Sequence, residues 1–279
     1  TLKKLGVRLS LGPHYLDGLA GQDIIMRTPG FEYFTPELQA AKAAGSEVTS
    51  EMELFFELCP CEKVAVTGSD GKTTTTTLIA GMLKAAGRTV HLGGNLGRAL
   101  LPVVEQIAPA DVAVVELSSF QLHDMHCSPD VAVITNLSPN HLDYHTDMQE
   151  YIDAKKNIFL HQTPNNRLVY NYDNPVSRDL IARSGREAVP FSISGGTDRG
   201  VLLRGRVIHY VDGERDEPVL DVGDIRIPGR HNVENYMAAI GAVMDYVDVE
   251  RIAEVARTFG GVEHRIELVR TLDGVRYYN

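Results

Sequence analysis

A glycine-rich segment with a lysine and a threonine, GSDGKT at residues 68–73, has the residue types needed to bind the phosphates of a nucleotide. Gly68 and Gly71 let backbone N–H groups approach phosphate oxygens, and Lys72 can reach the outer phosphates. Thr73 offers a hydroxyl to Mg²⁺. The common loop, G-x-x-x-x-G-K-[ST], would need a glycine where Val66 stands, so this loop is a shortened form. The alternative is an ordinary strand-to-helix turn with a solvated lysine.

A carboxylate and two histidines further along the chain are candidate metal ligands. Glu116 ends the apolar run DVAVVEL, where a buried carboxylate is costly unless it meets a cation; a carboxylate exposed at the strand end is the alternative. His141 and His145 are four residues apart, as zinc ligands on a helix can be. The glutamate of H-E-x-x-H is absent, however, and Pro139 favours a loop. Their spacing alone therefore predicts surface histidines.

The segment HDMHC holds a second group of ligand-like residues, His123, His126 and Cys127. No second pair of ligands accompanies them, so we expect surface positions rather than a metal site. The three cysteines of the chain are also too few and too irregularly spaced for a disulfide framework. We expect free thiols and a cytoplasmic location, where thiols stay reduced.

The elements that must position these residues follow an α/β pattern. Runs such as VAVV suit strands that are buried on both faces of a parallel sheet. In chain order, the patterns predict strands at KVAVTG, RTVHLGG, DVAVVEL, DVAVITN and RLVYN, helices at 72–86, 150–162, from Pro175 to about 184, after Gly229 and at 249–258, and antiparallel hairpins within 200–228. The sequence thus predicts a mainly parallel sheet with flanking helices and a small antiparallel subsheet.

Composition restricts the classes of partner. The 279 residues are 43% hydrophobic and carry a formal net charge of -10. An acidic chain without a cluster of basic residues argues against binding to a nucleic-acid backbone. No segment approaches the roughly 18 consecutive apolar residues of a membrane span. We therefore expect a small-molecule ligand and no nucleic-acid or membrane partner. Since the chain starts at Thr1, the sequence gives no basis for inferring whether a leader precedes it.

The shortened loop resembles that of the Mur ligase family, the ATP-dependent amide ligases of peptidoglycan synthesis, and of their folylpolyglutamate synthase relatives. Further segments occur in the order and spacing of that family: GGNLG (93–97), VELSSFQL (115–122), TNLSPNHLDYH (135–145), YIDAKK (151–156), GRHNVEN (229–235) and EHR (263–265). GGNLG and ELSSFQL are more typical of the branch that joins D-glutamate to UDP-N-acetylmuramoyl-L-alanine than of its sister branches. The resemblance covers essentially the whole chain.

The resemblance implies roles for particular residues. It implies two Mg²⁺ ions, the first held by Thr73 and Glu116 and the second by His141 together with Lys155, which the family carries as a carbamate. The ATP contacts that it implies are Gly68, Ser69, Asp70, Gly71, Lys72, Thr73, Thr74, Asn232, Asn235 and Arg265. Contacts to UDP-N-acetylmuramoyl-L-alanine are implied for Gly30, Asn95, Ser118 and His141. An ordinary exposed lysine is the alternative at position 155, and turn or cap chemistry is the alternative for Gly30, Asn95 and Ser118.

The implied reaction transfers the ATP γ-phosphoryl to the L-alanine carboxylate, and the amine of D-glutamate then attacks the acyl phosphate. Lys72, Glu116, His141 and Lys155 are the candidate catalytic residues. Two Mg²⁺ ions and Lys72 would offset the repulsion between a carboxylate and a triphosphate.

The resemblance also implies a division into domains. We expect residues 1–60 to be part of a Rossmann-like UDP-substrate-binding domain, 61–262 to be the central P-loop ATPase-like domain, and 263–279 to begin a third, truncated domain. A monomer is expected, and the fragment itself is expected to be inactive. Another Mur ligase, a folylpolyglutamate synthase relative and an inactive nucleotide-binding fragment are the alternatives.

Overall fold

The computed structural model describes residues 2–123, 125–139, 145–262, 268–272 and 275–278. Near the N-terminus, the parallel strands β1 (Ile24–Arg27) and β2 (Glu47–Ser50) are joined by helix α1 (Pro36–Ala43). Ile25 and Val48 pack with Leu38 of the helix in a small core. This is a βαβ unit, the connection that parallel strands require.

A nine-stranded sheet is the main feature of the described residues. Its strands in chain order are β3 (Glu62–Thr67), β4 (Val90–Gly94), β5 (Val112–Glu116), β6 (Val131–Ile134), β7 (Arg167–Asn171), β8 (Val189–Ser192), β9 (Gly200–Arg204), β10 (Val207–Asp212) and β11 (Arg215–Asp221). Their order across the sheet is β4-β5-β3-β6-β7-β8-β9-β10-β11. All pairings from β4 to β9 are parallel, and the last two, β9 with β10 and β10 with β11, are antiparallel.

Helices cover both faces of this sheet. They are α2 (Glu51–Leu58), α3 (Lys72–Ala85), α4 (Ser119–Leu122), α5 (Met148–Leu160), α6 (Pro175–Ser184), α7 (Arg230–Val243) and α8 (Val249–Thr258). Helices α3, α7 and α8 pack against Val64 and Val66 on one face, whereas α2, α5 and α6 pack with Ala65 on the other. Successive residues of β3 thus point to opposite cores, as residues of a buried strand must. None of the helices in the described ranges is long and apolar enough to cross a membrane.

The remaining elements are short. Within the described residues, 3-10 helices lie at Leu2–Leu5, Leu101–Gln106 and Val222–Asp224. An antiparallel pair, β12 (Leu268–Leu272) and β13 (Val275–Tyr278), ends the described chain.

Strand order places a crevice at the carboxyl end of β3. The chain runs from β3 to β4 and β5 on one side of the sheet and then crosses to β6 on the other side. Ligands of open α/β sheets bind outside the carboxyl ends of the strands at such a reversal. The segments that follow β3, β5 and β6 therefore meet where a ligand is expected.

The predicted fold class is confirmed. The antiparallel hairpins predicted within 200–228 continue the main sheet, because β9 also pairs with β8. Strand β8 itself carries little strand signal, since Pro190 lies within it and proline cannot donate to a sheet ladder. The domain division at residue 60 stays a prediction; α2, which precedes it, packs on the main sheet.

Candidate active site

The loop between β3 and α3 is built around two glycines in the left-handed region of φ. Gly68 has a φ of 149°, and a Cβ at this position would collide with Thr135 Oγ1 and lie 3.1 Å from the carbonyl oxygen of Asn136. Gly71 has a φ of 77°, and a Cβ there would collide with Asn235 Oδ1. Glycine is thus required at both positions. Gly71 is also the N-cap of α3 and offers no side-chain acceptor, which suits an external anion at this helix end.

The loop is held by the segment that follows β6. The backbone N–H of Asp70 donates to Asn136 Oδ1 at 3.0 Å, and Thr135 Oγ1 donates to the Asp70 carbonyl at 2.6 Å. Ser69 Oγ donates to the Ser138 carbonyl and shares a second hydrogen bond with the Tyr151 hydroxyl, both at 2.9 Å. The loop is therefore fixed in shape before a ligand binds, which lowers the entropic cost of binding.

Two lysine amines converge on this loop. Lys72 Nζ donates to the carbonyl oxygens of Gly68 and Ser69 at 3.0 and 2.8 Å. Lys155 Nζ donates to the same Gly68 carbonyl at 3.0 Å and to Thr67 Oγ1 at 3.1 Å. Lys155 is only 2% exposed, whereas the next residue, Lys156, is at the surface beside Asp153. Position 155 is thus not an ordinary exposed helical lysine.

The environment of Lys155 favours its neutral form. Burial lowers the pKa of the Lys155 amine well below its ordinary value of 10.5. The positive charge of Lys72 lowers this pKa further, while the carboxylate of Glu116 acts in the opposite direction. A neutral amine is a nucleophile, so Lys155 is prepared for chemistry that an ammonium group cannot do.

Glu116 is a buried carboxylate, and only one of its two oxygens is hydrogen-bonded among the described residues. It ends β5 and is 2% exposed. Its Oε1 accepts a hydrogen bond from Asn95 Nδ2 at 2.8 Å, and the Asn95 backbone N–H donates to the Glu116 carbonyl at 2.8 Å. Its Oε2 is buried and has no hydrogen-bond partner among the described residues. A buried charged oxygen in this state needs a cation, and Mg²⁺ prefers such a ligand.

These groups surround one cavity of about 360 Å³. Its lining residues come from the loop, from the ends of β4 and β5, and from α4 and α5: Gly68, Ser69, Asp70, Gly71, Lys72, Asn95, Glu116, Ser118, Ser119, Phe120, Tyr151 and Lys155. The structure therefore brings together residues that are up to 87 positions apart in the sequence, as Gly68 and Lys155 are.

The threonines after Lys72 divide into two groups. Thr73 is buried and Thr74 is half-buried at the start of α3. Thr76 and Thr77 donate their hydroxyls to carbonyls one turn back, those of Lys72 and Thr73 at 2.8 Å. Such local bonds occupy the later hydroxyls, so only the first two threonines suit a ligand.

Two asparagines at the start of α7 lie beside the loop. Thr75 Oγ1 donates to Asn235 Oδ1 at 3.3 Å, and Asn235 Nδ2 donates to Asn232 Oδ1 at 3.1 Å. Asn232 in turn bonds to the Pro228 carbonyl at 2.6 Å. Asn235 thus packs α7 against the loop, because its Oδ1 lies where a Cβ on Gly71 would be.

The remaining predicted site residues do not all lie in this cavity. Ser118 lines the cavity, but its hydroxyl forms a capping box with Gln121 at the start of α4. Gly30 is exposed near the N-terminal βαβ unit and does not line the cavity. His141 and Arg265 lie outside the described residues.

Sequence reasoning missed several residues of the site. Tyr151 bonds to Ser69, and the Lys155 amine lies 4.8 Å from the centre of its ring. The spacing of these two residues, four apart on one helix, was a visible signal. No spacing in the sequence marks Thr67 or Asn136, because each acts through a contact with a residue far away in the chain, Lys155 and Asp70 respectively.

The prediction of surface positions for His123 and His145 is wrong. His145 is 2% exposed, and the His123 side chain is 9% exposed. Both contact Glu150, and His145 also contacts Ser119, so tertiary packing buries them. His126, with a side chain 67% exposed, is at the surface as predicted, and all three cysteines are free thiols.

Comparisons with known proteins agree with this architecture. A UDP-N-acetylmuramoylalanine–D-glutamate ligase of Acetivibrio thermocellus is 54% identical over 277 residues, which are 99% of this chain and 59% of the relative. The ligase of the same name from Ruminiclostridium cellulolyticum is 52% identical and is matched over 60% of its length. The chain thus spans about three-fifths of the curated relatives that it matches.

The chain also matches a solved structure and a family model. The UDP-N-acetylmuramate-alanine ligase of Thermotoga maritima has a TM-score of 0.61 at 24% identity, covering 99% of this chain and 64% of that one, which shows a shared fold. The family model for the Mur ligase middle domain matches residues 66–243. These residues make up more than half of the chain and include Glu116, Lys155 and the GSDGKT segment at 68–73, called the phosphate loop below. The chain therefore belongs to the Mur ligase family.

Proposed function

We propose that the chain is the nucleotide-phosphate-binding part of an ATP-dependent ligase of peptidoglycan synthesis. The acid substrate is UDP-N-acetylmuramoyl-L-alanine, and the amine that it receives is D-glutamate. Two relatives that carry this ligase name are more than 50% identical over nearly the whole chain, which supports this branch over the sister ligases.

The buried, unpartnered Oε2 of Glu116 is the observation that carries the proposal. It belongs to the same cavity as the phosphate loop and the two lysines. A hard, anionic oxygen beside a phosphate loop fits Mg²⁺, and Thr73 at the start of α3 fits as its second protein ligand. The bound Mg²⁺ would neutralise phosphate charge. Asn95 holds Glu116 Oε1, so it also orients the carboxylate for this role.

Lys155 is proposed to carry a carbamate that serves a second Mg²⁺ together with His141. The neutral amine, favoured by burial, can attack CO₂. The nitrogen–carbon bond forms as one C=O bond opens, and the nitrogen releases a proton to solvent. The product is an anionic carbamate, whose oxygens suit Mg²⁺ where an ammonium would repel it.

The residues of the chain would act by positioning and by electrostatics. Lys72 and the loop amides would hold the ATP phosphates, so that the L-alanine carboxylate can approach the γ-phosphorus against anionic repulsion. The phosphoryl group transfers to that carboxylate, and ADP leaves. The amine of D-glutamate then attacks the acyl carbon, phosphate leaves, and an amide bond remains. Asn232 and Asn235 support the nucleotide end of the site through α7.

The division into domains and the location are proposed on the same basis. Residues 61–262 would form the ATP-binding domain, and residues 1–60 would belong to the domain that binds the UDP substrate, as the βαβ unit of β1, α1 and β2 suggests. Three free thiols fit a cytoplasmic protein.

A chimera tests this function directly. The chain would replace the matching 277 residues of the Acetivibrio thermocellus relative, and phosphate release from ATP would be measured with UDP-N-acetylmuramoyl-L-alanine and D-glutamate. We expect turnover that needs both substrates. Lys72→Met should abolish it, whereas Lys156→Met, at a half-buried lysine outside the cavity, should not. Turnover with UDP-N-acetylmuramic acid and L-alanine instead, or full activity of the Lys72 variant, would contradict the proposal.

A further inference from the structure

A second group of donor atoms lies between the end of α4 and the start of α5. His123 follows α4, His145 precedes α5, and Glu150 lies in the first turn of α5. His123 Nε2 is 2.7 Å and His145 Nδ1 is 3.2 Å from Glu150 Oε1. One ligand atom from each residue lies within 4.8 Å of the other two. None of the three residues lines the phosphate-loop cavity.

We propose that His123, His145 and Glu150 form a binding site for a divalent transition metal ion, with Zn²⁺ as its best-fitting occupant. Two imidazole nitrogens and one carboxylate are a common donor set for Zn²⁺. Bonds of about 2.0–2.2 Å in a tetrahedral site set the donors roughly 3.3 Å apart. The separation of His145 Nδ1 from Glu150 Oε1, 3.2 Å, already matches this spacing, whereas that of His123 Nε2, 2.7 Å, would lengthen by about 0.6 Å. The two histidine nitrogens, which lie within 4.8 Å of each other, would take the same spacing.

Neighbouring groups hold two of the ligands in place. His145 Nε2 is bonded to Ser119 Oγ at 2.9 Å, which directs Nδ1 toward Glu150. Glu150 Oε2 accepts hydrogen bonds from the backbone N–H and the hydroxyl of Thr146, at 2.6 and 2.7 Å. Outer partners of this kind orient metal ligands in proteins. They leave Glu150 Oε1 as the oxygen available to the ion.

Aromatic rings restrict the site further. The centre of the Tyr33 ring is 4.3 Å from that of His123, and Phe120 stacks on His145 at 5.6 Å. The side chain of His145 is fully buried. Limited access of water strengthens the interaction between the ion and its ligands.

The choice of metal separates this site from the phosphate-loop cavity. Imidazole nitrogen suits Zn²⁺ and its transition-metal neighbours, whereas Mg²⁺ prefers oxygen ligands. Mg²⁺ in excess should therefore leave Zn²⁺ binding at this site unchanged. The proposal does not depend on the ligase activity of the chain, because the three ligands lie outside the phosphate-loop cavity.

Metal titration of the 279-residue chain tests the proposal. After chelator treatment and dialysis, Zn²⁺ would be titrated by calorimetry with Mg²⁺ present, and Co²⁺ would be titrated while visible absorbance reports tetrahedral coordination. We expect one ion in the wild type. Glu150→Gln keeps the size of the side chain, and His123→Ala removes a nitrogen ligand; each should weaken this binding at least tenfold, as the loss of an outer partner already weakens binding by about 10- to 100-fold.

The control variant is His209→Ala, at a histidine that pairs with Asp216 in the β10–β11 hairpin. It should bind Zn²⁺ as the wild type does. Absence of Zn²⁺ binding by the wild type, or equal binding by the Glu150 variant, would overturn the proposal and leave a hydrogen-bonded cluster only. The titration of the wild type shows by itself whether an ion binds. The test therefore does not depend on the folding of any variant.

Discussion

Replacement of Gly71 by alanine should destabilise the chain through two separable effects. Gly71 has a φ of 77°, in the left-handed region, which costs an alanine about 1–2 kcal/mol. The new Cβ would also collide with Asn235 Oδ1. Asn235 is 6% exposed, and by moving it would lose its hydrogen bonds with Thr75 and Asn232. At about 0.5–1.5 kcal/mol each, these bonds raise the total loss to about 2–5 kcal/mol.

Gly87, just past the other end of the same helix, provides the matched control. Its φ is 82°, and a Cβ there would have no atom within 4 Å. Gly87→Ala should therefore lower the free energy of unfolding by only about 1–2 kcal/mol. Urea unfolding of the two variants and the wild type, followed by circular dichroism, measures the difference. Equal destabilisation by both substitutions would refute the assigned contact between Gly71 and Asn235.

Three further predictions concern the lysines. Lys72→Met should weaken binding of a non-hydrolysable ATP analogue at least tenfold in calorimetry, with Lys156→Met unchanged, because Lys72, unlike Lys156, bonds to the phosphate loop. In CO₂-free buffer, the free energy of unfolding of the wild type relative to Lys155→Met should rise as the pH rises toward 10.5. The reason is that the folded chain releases the Lys155 proton at lower pH than the unfolded chain does; the slope is at most about 1.4 kcal/mol per pH unit. With ¹³C-labelled CO₂ and Mg²⁺, the wild type should show a carbamate resonance that Lys155→Met lacks; identical spectra would contradict the modification.

The local features of the site could be predicted from the sequence because they depend on neighbours in the chain. The spacing of Gly68, Gly71 and Lys72 predicts a turn between a strand and a helix, and β3 and α3 have those positions. Glu116 could be placed at the end of a buried strand for the same reason. The resemblance assigns Thr73 and Thr74 to ATP, and the local bonds of the later Thr76 and Thr77 agree with that assignment.

Features that depend on distant contacts could not be predicted. The burial of His145 requires Ser119, which is 26 residues earlier, and no local pattern indicates that pair. Strand β8 is short and contains Pro190, so its position depends on pairing with β7 and β9 instead of on its own propensity. The depressed pKa of Lys155 likewise comes from packing against the phosphate loop, which the helical pattern around it does not reveal.

Binding of a non-hydrolysable ATP analogue by Glu116→Gln, with and without Mg²⁺, tests whether Glu116 is a magnesium ligand. We expect Mg²⁺ to strengthen binding to the wild type at least tenfold, or about 1.4 kcal/mol, and the variant to lose this dependence because its amide lacks the anionic oxygen. Glu62→Gln, at the opposite end of β3 and bonded to Tyr246, should behave as the wild type does. An equal Mg²⁺ effect in the wild type and in Glu116→Gln would contradict the assignment of Glu116 as a magnesium ligand and with it the proposed site.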